Sequence, residues 1–120
     1  MDFIDYQDSR PIYEQIADRY KFLILKGVMA PDEQMPSVRK LAMELSTNPN
    51  TVQKAYMELE REGYIYAVKG RGNFVRADEG LWKMKKKELA EELREIFQKA
   101  KELGIDVDEL VKEAKEDDRN

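Results

Sequence analysis

The side chains that could do chemistry in this sequence are amides, hydroxyls and cations concentrated in the middle of the chain. There is no Cys and no His, so disulfides, zinc fingers, thiol catalysis and His-dependent triads are excluded. Metal or covalent catalysis would have to rest on carboxylates or Lys alone. We therefore assign no catalytic residue, no metal site and no cofactor.

One polar face in the helical stretch that follows Asn48 carries groups able to contact DNA. Asn and Gln can make bidentate contacts to adenine, Thr can touch a thymine methyl or a phosphate, and Lys can reach guanine or phosphate. Any exposed helix face is polar, however, and this plainer alternative stays open from the pattern alone. The residues of this face assigned to DNA binding are Asn50, Thr51, Gln53 and Lys54.

Two further segments supply either cations or glycines whose backbone can approach DNA closely. Arg39 lies in the first turn of a shorter helical stretch capped by Ser37, where it is suited to a phosphate, with a surface ion pair to Glu44 as the alternative. Between two β-type runs, glycines alternate with basic residues; they serve as turn residues and also allow backbone to approach a phosphate. These segments add Ser37, Arg39, Lys69, Gly70, Arg71 and Gly72 to the candidate DNA-binding set.

Charge is unevenly distributed along the chain. The 120 residues carry a net charge of -4, but residues 34–76 have 7 bases against 4 acids, whereas residues 77–120 have 10 bases against 14 acids. The first turns after Ser37 and Asn48 lack acids, while the last helical stretch opens with three, from Asp106 to Glu109. Helix N-termini without acids attract phosphate. The middle of the chain is therefore predicted to meet an anion, with an ordinary solvated surface as the alternative.

Hydrophobic spacing predicts the elements that position these residues. Apolar residues recur at helical spacing in three stretches, the first ended by Gly27 and the third begun by Asn48 and Pro49. The period then changes to 2, which predicts a hairpin. Two helices joined by a short turn and followed by a basic hairpin form a winged helix-turn-helix. The predicted elements are helices over residues 11–26, 38–45 and 49–63 and strands over 64–68 and 73–75.

Beyond Gly80 the composition shifts to Lys, Glu, Leu and Ala. The spacing predicts a helix from about Trp82 to Leu103 and, after Gly104, a last helix capped by Asp106. The apolar stripe on the first of these is larger than a trailing helix can bury, so a partner copy is its predicted cover. Packing back onto the first helix of the chain is the alternative. The predicted dimerisation residues are Leu89, Leu93, Ile96, Phe97, Ala100 and Leu103.

The residues of several segments together resemble the GntR family of bacterial transcription regulators. The resemblance spans residues 10–76, and the short C-terminal part is similar to the YtrA-like subfamily. It implies a dimeric DNA-binding repressor, often of transporter genes, whose C-terminal helices pair. It also implies DNA contacts at the positions already assigned above on the second helix, the recognition helix and the wing tip. The segments that carry it are residues 11–16, 35–42, 48–60, 63–65 and 70–75.

This sequence departs from the family pattern at two turns and on the recognition helix. Asp32 and Ser46 stand where the family commonly has Gly. A left-handed Ser46 would cost about 1 to 2 kcal/mol. Pro49 and Gln53 stand where many members carry arginine, which alters the expected base preference.

These observations predict a mainly α (α+β) protein. It has a winged helix-turn-helix domain over residues 1–76 and a two-helix dimerisation region over 77–120. The predicted function is a sequence-specific regulator, a homodimeric repressor on a palindromic double-stranded DNA operator, acting in the cytoplasm with no membrane partner and with its effector unidentified. The alternatives are a winged-helix protein-interaction module without specific DNA binding, and the reader fragment of a regulator fused to an aminotransferase-like domain.

Overall fold

The computed structural model describes residues 4–76 and 78–116. Three helices precede a two-stranded sheet and two helices follow it, so the protein is a mainly α winged helix with a C-terminal helical part, as predicted. The first helix after the sheet begins at Glu79, earlier than the expected start near Trp82. The elements are α1 (Ile12–Leu25), α2 (Val38–Glu44), α3 (Pro49–Arg61), β1 (Ile65–Val68), β2 (Gly72–Val75), α4 (Glu79–Glu102) and α5 (Val107–Lys115).

Helix boundaries are set by the capping residues that the sequence indicates. Ser37 Oγ accepts the N–H three residues on at 3.1 Å, and Asn48 Oδ1 accepts the N–H two residues on at 2.8 Å. Asp106 Oδ1 caps α5 in the same way at 2.9 Å. Gly27, with a φ of +76°, follows α1 in the left-handed conformation expected of a helix C-terminus. These predicted caps are confirmed.

The chain forms two compact units, one ending at Trp82 and the other beginning at Lys83. In the first unit, α1 and α3 pack through side chains with no exposed surface, among them Ile16, Val52 and Leu59. The division falls after Trp82 rather than after residue 76, because Leu81 belongs to the core of the first unit. Burying each large apolar side chain contributes about 1.5 to 3 kcal/mol.

Tyr56 joins the start of α2 to this core. Its ring lies edge-on to that of Tyr20, with centroids 6.1 Å apart, and its hydroxyl donates to the carbonyl of Pro36 at 2.8 Å. Burial raises the pKa of both tyrosines. The contact holds the residues just before Ser37 against α3.

A third segment pairs with the sheet, which the sequence did not predict. β1 and β2 are antiparallel, with Ile65 opposite Val75. The segment before α2, where the sequence predicts no strand, pairs along the other side of β2. The N–H of Asp32 donates to the carbonyl of Val75 at 2.7 Å, and the N–H of Met35 donates to the carbonyl of Asn73 at 2.8 Å. The segment is too short to show a period of 2, which explains why the pattern missed it.

Both departures from the family's turn glycines adopt left-handed backbone. The φ angle is +65° at Asp32 and +51° at Ser46. Ser46 therefore adopts the left-handed conformation whose cost was estimated from the sequence as about 1 to 2 kcal/mol. The fold accommodates two such residues in the turns before and after α2.

The second unit comprises the rest of α4 and α5. Asp108 and Glu109 lie in the first turn of α5, and no residue of that helix is fully buried. Leu110 and Val111 are half-buried, whereas Ala114 is exposed. No helix in the described part of the chain has the length and apolar character required to cross a membrane.

Candidate nucleic-acid interface

The face of α3 predicted to read DNA is presented to solvent. Asn50, Gln53 and Lys54 are exposed and Thr51 is half-buried. The opposite face, which includes Val52, is buried in the core. Because the Asn48 cap starts the helix at Pro49, all four candidate residues fall in its first two turns. They can therefore enter a groove together.

Lys54 makes a contact that the sequence did not reveal. Its Nζ lies 4.0 Å from the centroid of the Tyr13 ring on α1, a distance at which the ring face attracts the ammonium group. The contact restrains a long, flexible side chain at the edge of the exposed face. The only sequence signal for Tyr13 is its place in the segment 11–16 that resembles the family.

The start of α2 is electropositive. Its first turn contains no acidic residue, and Ser37 and Arg39 are both exposed. Among residues 4–76 and 78–116, no ion pair involves Arg39. The alternative pairing with Glu44 is thus not formed, and the guanidinium is available to an external anion.

The wing tip presents its cations on a tight turn. Residues 69–72 are exposed, and the N–H of Arg71 closes the turn by donating to the carbonyl of Val68 at 2.9 Å. Gly70 and Gly72 have φ values of +76° and +113°, which only glycine adopts without strain. In the part of the chain that the structure describes, neither Lys69 nor Arg71 forms an ion pair.

Two other cations of the first unit are paired with carboxylates. Lys21 lies 2.6 Å from Glu62, and Arg76 lies 3.7 Å from Asp78. Arg39, Lys54, Lys69 and Arg71 differ from these two because, among the described residues, no ion pair joins them to a carboxylate. No group of three or more Asp and Glu residues able to hold a metal ion occurs within the described ranges.

The apolar stripe of α4 is largely uncovered. Leu89 is 65% exposed, Leu93 48% and Ile96 52%; these three residues are called the α4 stripe below. Leu103 is also exposed, and Phe97 is half-buried.

Ala100 differs from the other predicted dimerisation residues. It is only 3% exposed, and its carbonyl accepts the N–H of Ile105 at 2.8 Å. Because the chain itself already covers Ala100, this side chain is not part of the free surface, contrary to the expectation.

Known proteins similar to this chain were found by sequence and by structure. Residues 12–75 match the family described as bacterial regulatory proteins, gntR family. The chain is 44% identical over 109 residues to the HTH-type transcriptional repressor YtrA of Bacillus subtilis, covering 89% of this chain and 84% of the relative. A GntR family transcriptional regulator from Listeria monocytogenes is 34% identical, with a TM-score of 0.71 over 93% of this chain and 97% of that chain. AraR(DBD), solved in complex with operator ORE1, is 28% identical, with a TM-score of 0.53 over 60% of this chain and 88% of that chain.

Proposed function

Since the chain belongs to the gntR family of bacterial regulatory proteins, we propose that it represses transcription as a homodimer bound to a palindromic double-stranded DNA operator. Membership makes the chain a transcription regulator with a DNA-binding winged helix and not an enzyme. The palindromic operator, the homodimer and the kind of regulated gene go beyond family membership and are proposals. A regulator of this kind acts on the chromosome, so we place it in the cytoplasm.

The observation that carries the proposal is a set of exposed cations, Arg39, Lys54, Lys69 and Arg71, that form no ion pair within the described residues. DNA affinity comes mainly from cations that replace counterions at phosphates. Arg39 and Arg71 suit this role because both are exposed and unpaired within the described residues. The acid-free start of α2 adds a helix N-terminus that favours phosphate.

Base selection is assigned to α3. Asn50 and Gln53 lie on its exposed face, and their amides can form paired hydrogen bonds with adenine in the major groove. Lys54, restrained by Tyr13, can reach a guanine or a phosphate, and Thr51 can touch a thymine methyl or a phosphate. The proposed role of the wing glycines is to let backbone approach the DNA closely.

The α4 stripe supports the homodimer. Three large apolar side chains, each about half exposed or more, occupy one face of α4, and a two-fold partner covers such a face with the same residues. A two-fold dimer presents two identical α3 helices. The operator is therefore a palindrome with half-sites about 34 Å apart. The resemblance to the YtrA-like subfamily favours transporter genes as targets.

Footprinting on the DNA upstream of the protein's own gene tests the proposal. We expect a protected palindrome. Binding to it should weaken steeply with salt but should persist in the presence of random duplex competitor. Equal binding to operator and random duplex would contradict the sequence-specific role. An absence of any salt-sensitive duplex binding would instead favour the protein-interaction alternative.

A further inference from the structure

Gln34 connects the segment before α2 to the wing tip. Its backbone forms a bridge with Phe74 on β2, and its side chain extends along the hairpin. The Nε2 group donates a hydrogen bond of 3.0 Å to the carbonyl of Arg71. The tip of the wing is thus held by a side chain from outside the hairpin.

Gly72 leaves the space that this contact occupies. A Cβ atom added at Gly72 would lie 3.2 Å from Gln34 Nε2, closer than nearly all Cβ contacts in proteins. The φ of +113° favours glycine at position 72, and a larger residue there would also displace the Gln34 amide by a few tenths of an ångström. The side chain and the turn are fitted to each other.

The residues after Gln34 lead directly to the second group of proposed phosphate contacts. Met35 is buried, and the carbonyl of Pro36 accepts the Tyr56 hydroxyl of α3 at 2.8 Å. Ser37 then caps α2, which carries Arg39 in its first turn. One short segment is thus fixed to the core at its centre and touches the wing tip at one end.

We propose that Gln34 is a positioning residue for DNA binding, which sets the place of the wing tip, and with it the Arg71 guanidinium, relative to the start of α2. The proposal rests on the proposed DNA-binding function. Gln34 needs no contact with DNA for this role, because it acts through the Arg71 carbonyl. Fixing the wing in advance removes part of the ordering cost of binding.

Gln34→Met removes the donor at nearly constant side-chain length. We expect it to weaken operator binding about five-fold, the scale of one lost hydrogen bond. In an Arg71→Ala background the same change should have less than about a two-fold effect, whereas in an Arg39→Ala background the full loss should remain. Gln7→Met, at an exposed position, is the matched control and should leave affinity unchanged.

A measurement on the free protein separates this inference from the proposed function. Backbone 15N relaxation should show a lower order parameter at the Arg71 amide in Gln34→Met, with an unchanged melting temperature. If Gln34→Met still weakened binding about five-fold in the Arg71→Ala background, the proposal would be overturned. An unaltered order parameter at the Arg71 amide would overturn it as well. If the wild-type protein bound no duplex, the proposed function would fail, and the relaxation data would still decide whether Gln34 holds the wing.

Discussion

The hydroxyl of Tyr66 on β1 donates a hydrogen bond of 2.7 Å to Oδ1 of Asp32, a residue whose backbone is left-handed. Asp32 occupies a turn where the family commonly has glycine. Glycine has no side chain and could not make this contact. The contact joins the segment before α2 to the hairpin. The same bond raises the pKa of Tyr66, since the neutral hydroxyl is the donor.

The raised pKa of Tyr66 predicts a specific alkaline response. A group whose pKa is higher in the folded state contributes stability below its unfolded value, about 10 for tyrosine. That contribution is lost as the pH rises through the folded value. We expect urea unfolding between pH 9 and pH 11 to show a steeper loss of stability in the wild type than in Tyr66→Phe.

The Asp32 carboxylate is the main cause of this shift. In Asp32→Asn, tyrosine ring 13C resonances should therefore show Tyr66 ionising at lower pH than in the wild type. An identical Tyr66 titration in the two proteins would show that the hydrogen bond is not formed in solution. Tyr20 and Tyr56 are internal references, because burial is the main cause of their raised pKa values.

Ser46→Gly is predicted to stabilise the protein. Ser46 has a φ of +51°, and glycine adopts this conformation without the steric cost of a Cβ atom. After allowing for the greater freedom of glycine in the unfolded chain, we expect a gain of about 1 kcal/mol in the free energy of unfolding. Urea denaturation at neutral pH measures it.

Two control variants accompany Ser46→Gly. Ser46→Ala keeps the Cβ atom and should change stability by less than about 0.5 kcal/mol. Asp32→Gly relieves a similar strain but loses the Tyr66 hydrogen bond, so its gain should be smaller than that of Ser46→Gly. Equal gains at both positions would show that the Tyr66 contact contributes nothing.

The elements themselves could be predicted from the sequence because their signals are local. Ser37 and Asn48 lie next to the helices they cap, and the change of period at Tyr64 marks the hairpin. The left-handed conformation of Ser46 was anticipated only as a condition, from comparison with the family's glycine. Caps of this kind fix the first residues of α2, α3 and α5.

The contacts that shape the candidate interface are non-local and could not be predicted. Gln34 and Arg71 are far apart in the sequence, and no spacing rule pairs them. The same holds for Tyr13 and Lys54, whose contact depends on how α1 packs on α3. The burial of Ala100 likewise depends on the chain's return after Gly104, which the regular spacing of the apolar residues does not encode.

The α4 stripe is predicted to hold the homodimer together. Leu93→Glu places a charge on a face that a partner copy must cover, so burial of the carboxylate would oppose association. Because Leu93 is 48% exposed within the chain, the substitution should leave the fold of each copy intact. Sedimentation velocity should show monomers with unchanged far-ultraviolet circular dichroism.

The matched control for this prediction is Met43→Glu. Met43 is 78% exposed on α2, so it places the same charge at an exposed apolar residue outside the α4 stripe. It should sediment as the wild type does. A Leu93→Glu protein that remained dimeric would remove the α4 stripe from the interface.

Alanine substitutions of base-reading and phosphate-binding residues are predicted to change DNA binding in different ways. Asn50→Ala and Gln53→Ala remove amides from the exposed face of α3, so each should relax base choice at defined operator positions by about 1 to 3 kcal/mol. Arg39→Ala and Arg71→Ala remove unpaired cations, so each should weaken all duplexes alike. Each lost phosphate contact should also reduce the slope of log affinity against log salt by about 1.

Competition binding against operator variants and random duplex, repeated over a salt series, separates these outcomes. Arg61→Ala is the control for the loss of a cation, because Arg61 is paired with Glu58 and lies at the C-terminal end of α3, away from the proposed contacts. It should alter neither base choice nor the salt slope. If Asn50→Ala lowered specific and random binding by the same factor, as Arg39→Ala is expected to do, α3 would not be the reader, because removing a base contact cannot weaken sequences that never formed it.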